Sequence, residues 1–331
     1  MWFNASMPVP PESKAGTTRR VRGAGLDLSV TERGDTSQPT VLLVHGFPDT
    51  SAVWRPVAEL LAADFHVVTY DVRGSGDSDV PSSRSDYLLP LLVDDLAAVA
   101  DAVSPDAPVH LVAHDWGSIQ GWEAVVTPRL AGRFASYTSI SGPPLDHAAL
   151  WARRHRTRSL SDLWAGLRQG LHSWYIGFFH LPFIPELLFR NKHASRVWAQ
   201  ALHRVEKVTT DDTWPAPTFG QDFTHGVQLY RANVGPRFRH PTEGHTETPV
   251  QIIVPTKDRY VTPSLLEGLE TWSPLTWRRE VAAGHWIIRA QPADVAGWAR
   301  QVIEYVQSGT EPQDLAQYRV VPKPTEKARA A

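Results

Sequence analysis

The sequence predicts an α/β fold with a mostly parallel central sheet, helices on both faces and one inserted helical segment. Three observations lead there. Between about residues 25 and 140, short β-branched and aliphatic runs alternate with stretches of helical length, as in strand–helix–strand units. After Ser141-Gly142-Pro143-Pro144 the alternation stops, and it resumes at Val250. Within the regular part, the apolar run Val109-His110-Leu111-Val112 leads into Ala113-His114-Asp115-Trp116-Gly117, a small-x-Asp-x-small turn that opens a helix. Small residues flank the central position of such a turn because the sharp strand-to-helix bend leaves no room for side chains.

Taken in order, residues 1–20 are rich in Pro, Ser, Thr and charge and read as a flexible arm. Residues 25–31 alternate apolar and polar, as a half-buried strand does, and 34–39 is turn chemistry. The continuous run 40–44 is a strand covered on both faces, ending in His45-Gly46-Phe47-Pro48. A helix is expected over 51–63 and a strand over 65–70, which runs into Asp71-Val72-Arg73-Gly74-Ser75-Gly76-Asp77-Ser78. Gly74 and Gly76 lack the third glycine of a dinucleotide fingerprint, so they read as a tight turn and no nucleotide is expected. A helix over 88–103, the strand before Asp115, the helix after it and a strand over 135–140 complete the first part of the core, 21–145. Residues 146–240, dense in Trp, Phe, Arg and His with no strand pattern, form a helical cap. Its Arg153, Arg154, Arg156 and Arg158 are either a solvated helix face or a contact for an anionic lipid or substrate. The core returns over 241–308 with a strand at 250–254, a helix at 263–270, a strand at 275–281 and a helix at 292–306. Residues 309–331 read as a polar tail or linker.

Composition narrows the classes. The 331 residues, 42% hydrophobic and with 13 Trp, are enough for one large domain with an insertion. A net charge of -2 gives no reason to expect nucleic acid as a partner. The absence of cysteine excludes disulfides and thiolate metal sites and leaves the redox compartment open. The first twenty residues hold no uninterrupted apolar core, so neither export nor a membrane span is expected and the expected location is the cytoplasm.

Asp115 carries the chemistry. A carboxylate attacking an ester or amide must form an anhydride, whereas attack on a saturated carbon bearing a leaving group forms an ordinary alkyl ester, so substitution at carbon is favoured over acyl transfer. The plainer alternative is that Asp115 only caps the helix after it. An alkyl ester on a carboxylate needs a base to activate water and an acid to orient the base. Asp258 follows the strand at 250–254 and His285 follows the strand at 275–281, giving the order nucleophile, acid, histidine. Asp146, beyond another strand, is the rival acid. The backbone N–H groups of Phe47 and Trp116 are expected to face the Asp115 carboxyl as an oxyanion hole. His45 and Pro48 belong to the same substrate-facing loop, with Pro48 a candidate for a cis peptide bond.

These motifs give the chain a family resemblance. His45-Gly46-Phe47-Pro48, Gly74-Ser75-Gly76-Asp77-Ser78, His114-Asp115-Trp116-Gly117 and Gly284-His285-Trp286 resemble the α/β-hydrolase-fold epoxide hydrolases, over roughly residues 25–306. Haloalkane dehalogenases share the Asp-nucleophile branch, but a departing halide needs only N–H donors, whereas an epoxide oxygen leaves as a basic alkoxide and needs an acid. The segments around Tyr175 and Tyr230 are similar to the two cap segments that supply the family's acid tyrosines. A phenol suits that role, since it stays protonated at neutral pH. The resemblance implies conversion of a small apolar epoxide to a vicinal diol through an ester on Asp115, with no cofactor and no metal. Haloalkane dehalogenation, or ligand binding without turnover, are the alternatives. The chain also resembles the hydrolase half of actinobacterial proteins in which a short-chain dehydrogenase follows, so a fused C-terminal domain and a homodimer are the assemblies left open.

Overall fold

A computed structural model describes residues 16–155, 159–191 and 193–320. Nine strands form one sheet in the order β1-β2-β4-β3-β5-β6-β7-β8-β9. They are β1 (Thr17–Arg22), β2 (Asp27–Arg33), β3 (Thr40–Val44), β4 (His66–Tyr70), β5 (Val109–His114), β6 (Phe134–Ile140), β7 (Val250–Pro255), β8 (Thr276–Val281) and β9 (Arg319–Val320). The six strands from β4 to β8 in the sheet are parallel, and β1, β2 and β9 lie antiparallel at the edges. All five residues of β3 are buried, which accounts for its unbroken apolar sequence.

Alternate residues of each strand feed two cores. Leu42, Val44, Val68, Leu111 and Ala113 pack on one face with α2 (Leu89–Val103) and α3 (Trp116–Val126). Val41, Leu43, Val67 and Val112 pack on the other with α1 (Arg55–Leu61) and the C-terminal helices. β4 lies on one side of β3 and β5 on the other. The chain therefore reverses direction across the sheet at β3/β5, and the loops beyond those strands open a crevice, the usual ligand position in such sheets.

Between β6 and β7 the chain adds α4 (Leu145–Arg154), α5 (Leu160–His172), α6 (Trp174–Phe179), α7 (Ile184–Phe189), α8 (Ala194–Ala201) and α9 (Phe219–Arg239). Buried polar contacts fasten this insertion to the core. Asp222 accepts from the Gly76 N–H at 2.9 Å, the Asn233 side chain accepts from Leu89 N–H at 2.9 Å and donates to Tyr87 O at 2.8 Å, and Trp214 Nε1 donates to Asp49 at 2.7 Å. After β8 come α10 (Ile287–Ala290), α11 (Pro292–Ser308) and α12 (Gln313–Ala316), ahead of β9. No described helix is long and apolar enough to cross a membrane.

Four expectations change. The arm read over 1–20 gives way to β1 from Thr17, whose pairing with β2 supplies the order its composition hid. The helix expected over 263–270 is two 3₁₀ turns, Pro263–Leu266 and Leu269–Trp272, because Gly268 between them takes a left-handed φ of 85°. The tail from 309 contributes α12 and β9, with Leu315 buried against Trp277. Of the arginine group, Arg153 caps the carbonyls of Phe238 and Arg239, and Arg154 pairs with Glu243. Arg156 and Arg158 lie outside the described residues.

Candidate active site

β5 delivers Asp115 at its tip with φ 54° and ψ -123°, backbone angles that an L-residue rarely adopts and that the surroundings must hold. Glycines make this possible. A side chain at Gly117 would strike the Val44 and His45 carbonyl oxygens, and one at Gly46 would strike the Asp115 carboxyl and the Trp116 nitrogen. The carboxylate is thereby pressed against the loop after β3. There the Phe47 N–H donates to Asp115 Oδ1 at 2.7 Å. The Trp116 N–H makes no hydrogen bond to that carboxylate, so one of the two expected donors is engaged. The Phe47–Pro48 peptide is cis.

His45 braces this loop from within. Its ring donates to the Gly46 carbonyl and accepts from the Val72 N–H at 2.9 Å, and burial lowers its pKa, so it is a neutral brace between two loops. It is absent from the walls of both cavities at Asp115. The strand ending at position 44 announces a loop, but not which way the ring turns.

His285 follows β8. Its Nδ1 donates to Asp258 Oδ2 at 2.8 Å and its Nε2 lies 3.6 Å from Asp115 Oδ2. Asp258 is held in turn by the N–H groups of Tyr260 and Val261, at 2.7 and 3.0 Å on Oδ1. Burial alone would raise the Asp258 pKa, but the His285 charge and these donors hold it below its usual value. Burial likewise disfavours charge on His285, yet the two carboxylates outweigh it and carry its pKa up to about 10. The resting pair is therefore imidazolium and carboxylate. Asp146, the rival acid, is committed elsewhere: Arg237 donates to it at 2.7 Å and the Thr242 N–H at 3.0 Å.

Two cavities meet at Asp115, one of about 470 Å³ and one of about 150 Å³, and Asp115, Tyr175, Tyr230 and Tyr260 line both. Tyr175 comes from α6 and Tyr230 from α9, with ring centres 5.9 Å apart and perpendicular planes. Burial first, then neighbouring charges that include Asp115, push both phenols up, so both are protonated donors within electrostatic reach of the carboxylate. Trp116 lines the larger cavity, and Phe47, Pro48 and His285 the smaller.

Sequence reasoning missed three residues. The Tyr260 ring packs 4.9 Å from the His285 ring. Its signal was its place two residues after Asp258, in the same loop. Glu206, at the end of a π-turn in the insertion, accepts the His285 backbone N–H at 2.9 Å, and burial raises its pKa. Asp49, buried and raised to about 6, accepts from the indoles of Trp214 and Trp286 at 2.7 and 2.8 Å. Nothing local marked the last two, since each meets its partners only through tertiary packing: Glu206 reaches His285 from the insertion, and Asp49 joins Trp214 of the insertion to Trp286 of the core.

Comparison with known proteins follows the same lines. The family model described as alpha/beta hydrolase fold matches residues 39–289. The chain is 36% identical over 278 residues to "Probable oxidoreductase EphD" of Mycobacterium tuberculosis, covering 82% of this chain and 47% of that protein. It is 29% identical over 171 residues to epoxide hydrolase 4 of Homo sapiens, covering 51% and 43% of the two chains. The chain thus spans about half the length of the curated relatives it matches. In fold it is similar to the crystal structure of Bacillus megaterium epoxide hydrolase in complex with an inhibitor, with a TM-score of 0.72 and 23% identity over 86% of this chain and 100% of that one.

Proposed function

Because the chain belongs to the alpha/beta hydrolase fold family, we propose that it is an epoxide hydrolase that works through an alkyl ester on Asp115. The observation that carries this is a partly buried carboxylate at the elbow sharing its cavities with two protonated phenols. An acyl substrate would not need those phenols; an epoxide oxygen leaving as alkoxide does. The relatives named as epoxide hydrolases agree with it.

Asp115 Oδ1 is held by the Phe47 N–H, so Oδ2 keeps its lone pairs for the attack on an epoxide carbon. The C–O bond of the ring breaks as the new one forms, and Tyr175 or Tyr230 gives its proton to the departing oxygen. The resulting phenolate recovers a proton from the His285 imidazolium, which leaves His285 neutral. His285, oriented by Asp258, then takes a proton from water, and the hydroxide adds to the ester carbon. The ester carbonyl oxygen is Oδ1, already facing the Phe47 N–H, which stabilises the charge developing there. Collapse expels the diol oxygen, which is protonated from His285, and the Asp115 proton returns to His285. Epoxide plus water has become diol, and the enzyme is as it began.

A single turnover in oxygen-18 water with enzyme in excess tests the covalent route. The diol is expected to carry unlabelled oxygen from Asp115 in that first turnover. A labelled diol would mean direct attack by water and another role for Asp115. His285→Gln is expected to accumulate the ester, read as added mass on the peptide containing Asp115. Normal turnover by that variant would remove His285 as the base.

A further inference from the structure

α5 is built inside out for a helix bathed in water. Its one buried side chain is polar: Gln169 accepts from Thr262 Oγ1 at 2.7 Å and donates to the Tyr260 carbonyl at 2.9 Å. Its apolar stripe, Leu160, Leu163, Trp164, Leu167 and Leu171, follows helical spacing and points outward, 45% to 78% exposed. α7 repeats the pattern, burying Pro185 while Leu187 is 78% exposed and the preceding Phe183 83%. Of 17 exposed large apolar side chains among the described residues, 12 fall between 160 and 197, so the exposure is concentrated rather than scattered.

The unpaired charge around this segment is mostly positive. Arg168, Arg190, Arg196 and Arg204 are exposed and engage no carboxylate among the described residues. Of the nearby acids, Glu186 is paired with Arg231, while Asp162 lies 3.8 Å from the His155 ring. Apolar side chains with exposed indoles, bordered by unpaired arginines on helices too short to span, match the chemistry of the interface of an anionic lipid layer. A second copy of the chain fits less well, because a shared interface would bring the unpaired arginines of both copies together. The stripe is also continuous with the site: Leu163 and Leu167 belong both to it and to the wall of the larger cavity.

We propose that the exposed face of α5 to α7 docks on an anionic lipid surface and that the larger cavity takes its epoxide from that surface. The second half rests on the epoxide hydrolase reading; the docking does not. The helix α5 then separates lipid from the cavity that holds Asp115, so an epoxide on a long apolar chain need not pass through water.

The test is co-sedimentation of the full chain with vesicles of phosphatidylcholine, alone or mixed with phosphatidylglycerol. Binding is expected to the mixed vesicles only, to weaken with salt, and to fall about ten-fold or more in Trp164→Glu/Leu171→Glu and in Arg168→Glu. None of these three side chains lines a cavity at Asp115, so turnover of a small water-soluble epoxide is expected to be unchanged, which also reports that the variants fold. Failure to bind mixed vesicles, or binding unaltered by the substitutions, would overturn the docking. So would a dimer in sedimentation velocity that the same substitutions dissolve, since the face would then belong to a second copy. Vesicle binding by a wild-type protein that turns over no epoxide would leave the docking and overturn the epoxide reading.

Discussion

Replacing Asp115 by Asn removes one charge and almost no volume, and it mimics the electrostatic state of the esterified enzyme. In the resting protein His285 Nε2 lies 3.6 Å from Asp115 Oδ2, with both groups largely shielded from water. Coulomb's law at that separation, with an effective dielectric constant of about 20, gives about 4–5 kcal/mol of attraction between imidazolium and carboxylate. That corresponds to a change of more than about a thousand-fold in proton affinity. His285, held up to about 10 by Asp258 and Asp115 together, is therefore expected to fall to roughly 6–7 in Asp115→Asn. Alkylation of Asp115 would do the same, turning an imidazolium into a neutral base at the moment a base is needed. Below its lowered pKa the imidazole is protonated, so the hydrolytic step should slow as pH falls through that range, while the resting enzyme stays protonated up to about pH 10. The assay is an NMR titration of the His285 ring in the wild type and in Asp115→Asn. A His285 that titrates near its ordinary value in the wild type, or still above pH 9 in the variant, would refute the reasoning.

Three further outcomes are expected. Tyr175→Phe and Tyr230→Phe should each slow alkylation in single-turnover measurements, and the double variant should lose roughly 10²-fold or more, the usual contribution of a positioned acid; a fully active double variant would remove the tyrosines from the chemistry. Glu206→Ala leaves the His285 N–H without its acceptor and should cost about 1–3 kcal/mol in urea unfolding, with a fall in the hydrolytic rate; Glu206→Gln, which can still accept, should restore most of both. Arg73 meets Asp95 at 2.6 and 2.8 Å with both side chains buried, so Arg73→Met strands a carboxylate and should lower unfolding stability by about 3–5 kcal/mol. An unchanged urea midpoint would contradict that.

What could be read from the sequence was whatever depends on near neighbours along the chain. The run at 40–44 is apolar throughout because both faces of β3 are covered, and the period and spacing of the later segments are those of the β7–α11 half of the sheet. Asp115 stood out because a strand-to-helix bend this sharp demands small neighbours, and Ala113 and Gly117 meet that demand locally. Side chains that meet only after the chain has folded back were not legible. Asp146 and Asp258 both follow strands, and packing alone sends one to Arg237 and the other to His285. His45 sits in the expected loop yet turns toward Val72, because its ring must satisfy two backbone groups in a buried corner. Glu206 reaches the His285 backbone from 79 residues away, and the helical spacing of the α5 leucines does not say which way they face. Periodicity states that a face is apolar; only the arrangement of the other elements decides whether protein, substrate or a lipid surface covers it.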